Sequence, residues 1–124
     1  MPLRQSMRGL TVVVTRPEGL RAALELAAAN AALGGRARLF CQGEAVAALA
    51  LPMRARHDAD YASAGLPTLT ELFEEALALG VTTIACQSGL ALTGLTADML
   101  DARVSFGGPV SVMQALGEDR LVAV

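Results

Sequence analysis

The 124 residues carry a formal net charge of -2 and a hydrophobic fraction of 53%, which suits one globular domain able to bury its own core without disulfides. All ten positive residues are arginines scattered along the chain, so no basic footprint for nucleic acid is present. The absence of lysine removes Schiff-base chemistry and the P-loop lysine, and a single histidine leaves too few imidazoles for a usual catalytic zinc site; no metal or other cofactor is implied.

The first core segment, Leu10 to Val14 (LTVVV), is short, apolar and β-branched, as expected of a parallel strand buried on both faces. A helix is expected from Pro17 or Glu18 to the Gly34-Gly35 pair, with Leu20, Ala23, Leu24, Ala27, Ala31 and Leu33 as its apolar stripe. Ala37 to Cys41 (ARLFC) reads as a second strand, and Glu44 to Leu51 as a short apolar helix stopped by Pro52. Residues 52–67 show no periodicity and are expected to be a flexible loop and a lid candidate.

Thr68 or Thr70 is placed to cap a third helix, with Glu71 in the first turn for Thr68, ending at Gly80. Val81 to Ala85 (VTTIA) is the third expected strand, Cys86 to Gly89 a turn, and Thr96 to Leu100 a short helix. Arg103 to Phe106, a helix from Pro109 to Leu116, and Arg120 to Val124 complete the pattern. Residues 76–97 lack a charged side chain, but Gly80, Thr82, Thr83, Gln87, Ser88, Gly89 and Gly94 divide them into pieces, which argues against membrane insertion. Alternating strands and helices specify a single three-layer α/β/α domain with a five-stranded, mainly parallel sheet.

In such sheets ligands bind beyond the carboxyl ends of the strands, and both cysteines fall on that rim. Cys86 follows VTTIA directly, where backbone amides of Gln87 to Gly89 and the Ser88 hydroxyl can favour a thiolate. The competing reading makes it a small buried apolar residue, and Cys41, flanked by leucine and phenylalanine, fits that reading better still. His57 could activate a thiol and Arg16 could hold an anion, although each also reads as a solvated surface residue. Gly107-Gly108-Pro109 could form an anion nest or simply pack tightly. Cys-Gln occurs twice, each time near a strand end, an echo that chance explains. Two cysteines, and an N-terminus with Arg4 and Arg8 but no following signal-length apolar stretch, point to reduced thiols and a cytoplasmic location.

The run LGVTTIACQSGLALTGLTADMLDARVSFGG resembles the DsrE/DsrF-like sulfur-relay family, especially its peroxiredoxin-like branch. The likeness rests on the order of parts: helix ending in Leu-Gly-Val, strand reaching Ala-Cys-Gln, small residues and glycine, helix, then Gly-Gly. The first half is similar too, with a strand, a long alanine-rich helix, Gly-Gly and a second strand. The resemblance implies a five-stranded parallel α/β/α domain, assembled as homotrimers or homohexamers, whose cysteine at position 86 accepts sulfane sulfur as a persulfide and passes it between donor and acceptor proteins. The chain departs from that branch after its second strand, where it reads LFCQGEAVAAL without an aromatic-rich stretch. Cys41 is therefore particular to this chain, and neighbouring second and third strands would let it share sulfur or a disulfide with Cys86. The rival from another class is an oligomeric binding or scaffold subunit with a structural cysteine. A thiol peroxidase is suggested only by the branch's label, because the sequence surrounding a peroxidatic cysteine is missing.

Overall fold

The computed structural model describes residues 7–124; Arg4 lies outside them. Five strands are present: β1 Leu10–Val14, β2 Ala37–Cys41, β3 Thr82–Cys86, β4 Ser105–Gly107 and β5 Arg120–Ala123. They form one sheet in the order β4-β3-β2-β1-β5, and every neighbouring pair is parallel. The helices are α1 Leu20–Ala32, α2 Asp58–Ser63, α3 Leu69–Ala78, α4 Gln87–Thr93 and α5 Pro109–Gln114, with 3-10 segments at Pro17–Gly19, Gly43–Leu49 and Ala97–Met99. The expected five-stranded α/β architecture is what forms.

β1 to β4 step across the sheet in one direction, whereas the chain between β4 and β5 returns to the opposite edge and carries α5. One sheet face is dry: Leu10, Val12, Val14, Leu39, Cys41, Thr83 and Ala85 are all buried beneath α1 and α3. On the other face Thr11, Arg38 and Phe40 are buried, whereas Thr82, Ser105 and Ala123 are exposed. The six-residue α5 is the helix on that side, buries only Val112, and receives an Arg38 Nη2 hydrogen bond at the Val112 carbonyl.

Under α5 the sheet carries a compact polar knot. Asp119 accepts from Thr11 Oγ1 at 2.9 Å and pairs with Arg36 at 2.9 Å; Arg38 Nε stands 3.7 Å away, at ion-pair distance, and Arg38 Nη2 donates to Thr11 Oγ1 at 3.0 Å. The Asp119 and Arg38 side chains are 6% and 9% exposed, so neither charge is solvated enough to stand alone.

Several local expectations shift. The apolar stripe of α1 continues into buried Asn30 rather than Leu33, because the helix ends at Ala32 and leaves Leu33 exposed. Asn30 Nδ2 donates to the Arg8 and Arg36 carbonyls, both 3.1 Å away, which satisfies a polar group inside the layer. The turn expected at Cys86 to Gly89 is the start of α4, and the helix expected at Thr96 to Leu100 shrinks to one 3-10 turn. The 44–51 helix is likewise 3-10, over Gly43–Leu49.

Within residues 52–67 the chain forms α2, too short to show a periodicity in sequence. Tertiary bonds hold its approaches: Asp58 accepts from the backbone N–H groups of Ala55 and Leu69, and Thr70 Oγ1 donates to the Met53 carbonyl. The run at 76–97 is split among α3, β3 and α4, and no helix among the described residues is long and apolar enough to cross a membrane.

Thr68 caps α3 in a full capping box with Glu71. Thr68→Ala should lower unfolding free energy by about 1 kcal/mol in urea titrations. Asp119→Ala, which strands a buried arginine, should cost about 3 kcal/mol. Equal losses would show that the knot beneath α5 is not the weightier anchor.

Candidate functional site

Cys86 is both the last residue of β3 and the N-cap of α4, so its sulfur stands where a strand carbonyl end meets a helix amino end. Its Cα partner in β4 is Gly107, which puts no side chain beside it. From the adjacent strand the chain leaves β2 through Gln42 and enters the Gly43–Leu49 turn, whose first N–H lies close enough to lower the thiol's pKa. Two helical amino ends thus converge on one thiol.

Glycine makes that convergence feasible. A Cβ on Gly89 would lie 2.5 Å from the Gly43 carbonyl oxygen and 2.5 Å from Val46 Cγ2, so only a residue without a side chain lets α4 seat against the Gly43 turn. Gly43 itself has φ +56°, a left-handed conformation that L side chains adopt at a cost.

Burial raises the Cys86 thiol and is its largest single influence, yet the backbone N–H groups of Gly43, Gly89 and Ser88, with the Ser88 hydroxyl, together hold it below the ordinary thiol value. None of these contacts is a tight cap on the sulfur, so their worth grows as negative charge develops there. Cys86 is 3% exposed, closed over by its immediate neighbours but shallow in the fold. Cys41 is the opposite case: it lies deep in the dry face with no compensating donor, and burial pushes its thiol up to about 12.

Strands β2 and β3 are neighbours, but the two thiols are not brought together. Cys41 is level with Ala85, one residue before Cys86, and alternate side chains leave a strand in opposite directions. Cys41 belongs to the face under α1 and α3, Cys86 to the face bearing α5, and both are free. A direct disulfide between them has no geometric support.

Of the other residues singled out in the sequence, Ser88 lies beside the sulfur, and Gln87 is the exposed first residue of α4. Arg16 is exposed ahead of the Pro17–Gly19 turn, after β1 rather than β3. The His57 side chain is 67% exposed, bonded to Asp60 at 3.3 Å, and borders a cavity formed with Ala47 and Ala48 of the Gly43–Leu49 turn. Neither His57, considered as an activating base, nor Arg16, considered as an anion holder, is hydrogen-bonded to Cys86 or lines a cavity with it among the described residues. Gly108 donates its N–H to Ser111 Oγ, so the anticipated nest is already filled from within.

The Gly89 and Ser88 N–H groups were expected near the sulfur, whereas Gly43 and the packing role of Gly89 escaped the reading of the sequence. The available signal was a glycine two residues after Cys41, opening the segment beyond β2, and another three after Cys86, inside the first turn of α4.

Limited iodoacetamide near pH 8 should alkylate Cys86 alone in the native protein and both thiols in urea, as read by peptide mass mapping. Gly89→Ala should move the pH midpoint of Cys86 alkylation upward by prising the Gly43 N–H away; an unchanged midpoint would discard the role given to that contact. The raised Cys41 thiol stabilises the native state fully below pH of about 9, and this contribution should be lost as pH climbs toward about 12. The lowered Cys86 thiol acts with opposite sign, adding stability above the unfolded thiol range that fades as pH falls through its folded value.

A family model described as the DsrE/DsrF-like family matches residues 8–123. Among solved structures, the ychN protein of E. coli is similar with a TM-score of 0.66 at 19% identity, covering 94% of this chain and 99% of that one. A protein of unknown function, MTH1491 of Methanobacterium thermoautotrophicum, is similar with a TM-score of 0.59 at 17% identity, covering 93% of this chain and 99% of that one. No curated protein matches the sequence. At such identities the two structures establish the shared fold, and the family match over nearly the whole chain establishes kinship: the protein belongs to the DsrE/DsrF-like family, whose members generally serve in sulfur relay.

Proposed function

We propose that this protein is a sulfur carrier that takes sulfane sulfur from a donor protein onto Cys86 and hands it to an acceptor protein. The observation that carries this reading is the thiol held below its ordinary value between two helical amino ends at the carboxyl rim of a parallel sheet. In loading, the Cys86 thiolate attacks the outer sulfur of a donor persulfide. One S–S bond forms as another breaks, the donor leaves as its thiolate, and the transferred sulfur keeps its proton. In unloading, an acceptor thiolate attacks that outer sulfur and Cys86 departs as a thiolate.

A lowered thiol pKa serves both halves, because it raises the fraction of thiolate available to attack and makes Cys86 a better leaving group. The N–H groups of Gly43, Ser88 and Gly89 stabilise the negative sulfur in each case. No cofactor is required for this exchange. Both thiols are free, which fits work in a reducing compartment such as the cytoplasm.

The carrier is proposed to act as a homotrimer or homohexamer built through the face bearing α5. Val110 and Met113 on α5 are 72% and 54% exposed and Leu121 on β5 is 48% exposed, a thin cover for one face of a three-layer domain.

Polysulfide, or thiosulfate with a sulfurtransferase, should add one sulfur mass to Cys86 that reductant removes, seen by intact-mass and peptide analysis. Cys41→Ser should load like the parent and Cys86→Ser should not. Absence of the adduct with every donor would instead assign a scaffold subunit with a structural cysteine, a role consistent with the small exposure of Cys86. Light scattering should report a trimer or hexamer that Val110→Asp with Met113→Asp reduces to monomers; a monomeric parent would refute the assembly.

A further inference from the structure

A cavity of about 600 Å³ lies between the start of α1, the Gly43–Leu49 turn and α2. That volume is in the range of sites for small organic ligands. It does not include Cys86. Its Ala47 and Ala48 belong to the 3-10 turn whose Gly43 and Val46 face Gly89, so this turn forms the partition between thiol and cavity.

The charge of the cavity runs against that of the chain. In a protein of net charge -2, it gathers Arg21, Arg54 and Arg56 with His57, against the single carboxylate of Glu18. Arg54 and Arg56 take part in none of the ion pairs or side-chain hydrogen bonds found among the described residues. The nearby acids are otherwise engaged: Asp58 accepts from Ala55 and Leu69 N–H groups, and Asp60 is 83% exposed and bonded to His57.

Arg21 is fixed in advance. Its Nη1 donates to the Pro67 carbonyl at 2.8 Å, its Cζ sits 3.4 Å from the centroid of the Tyr61 ring, and its buried Nε has no partner. Leu20, Leu69 and the two alanines supply apolar wall.

We propose that this cavity binds a small organic phosphate, with the phosphate on Arg54 and Arg56 and the carbon skeleton against the alanine and leucine wall. Two uncommitted guanidiniums two residues apart match a dianion with three acceptor oxygens better than a monocarboxylate, which one fork satisfies. The apolar wall distinguishes an ester from inorganic phosphate. This site is independent of the sulfur chemistry proposed for Cys86.

The test is calorimetric titration of the full chain with glucose 6-phosphate, inorganic phosphate and glucose at low salt. Glucose 6-phosphate should bind saturably, more tightly than inorganic phosphate, and glucose should not bind. Arg54→Ala with Arg56→Ala should weaken the ester by about tenfold or more with thermal stability unchanged, because both side chains are exposed and unpaired. Cys86→Ser should bind like the parent. The proposal falls if the ester fails to bind, if the double variant keeps its affinity, if inorganic phosphate binds equally well, or if glucose alone binds.

Discussion

Everything distinctive about this domain turns on the contact of Gly89 with the Gly43 turn. Parallel neighbours β2 and β3 bring their exit turns side by side, and two ordinary side chains there would hold the turns apart. Because Gly89 has none, α4 seats against the Gly43 carbonyl and Val46, which keeps the Gly43 N–H in the neighbourhood of the Cys86 sulfur. The same contact fixes the 3-10 segment Gly43–Leu49, whose far side walls the arginine-lined cavity.

The two cysteines show how little residue type says about the acidity of a thiol. They sit on neighbouring strands, one residue out of level, and burial acts on both thiols in the same direction. What separates them is the supply of donors. Cys41 lies within the dry layer, where backbone groups are committed to strand pairing; Cys86 lies at a helix start, where N–H groups have no intrahelical partner.

The two sheet faces divide labour in a related way. The face under α1 and α3 is apolar apart from buried Thr83, and it supplies cohesion. The other face hides a salt-bridged knot around Asp119 beneath a short helix and leaves Val110, Met113 and Leu121 toward solvent. The six residues of α5 are the only helix over that layer among the described residues.

Much of this was legible in the residues themselves. β1 and β2 are short apolar β-branched or aromatic runs whose bounds matched, and the Thr68–Glu71 spacing announced the start of α3, because such signals are local. Cys86 was recognisable for the same reason, as a thiol at a strand end among small residues. Hidden from sequence were α2, too short to show a period, and the opposed directions of the two thiols, which depend on a one-residue offset in register. The Gly43–Gly89 contact and the gathering of Arg21, Arg54 and Arg56 were also beyond it, since they join segments from separate crossovers. Local patterning determined the elements and the candidate thiol; tertiary packing decided that the Gly43 turn joins it and which charges share a cavity, because those depend on distances that chain position does not encode.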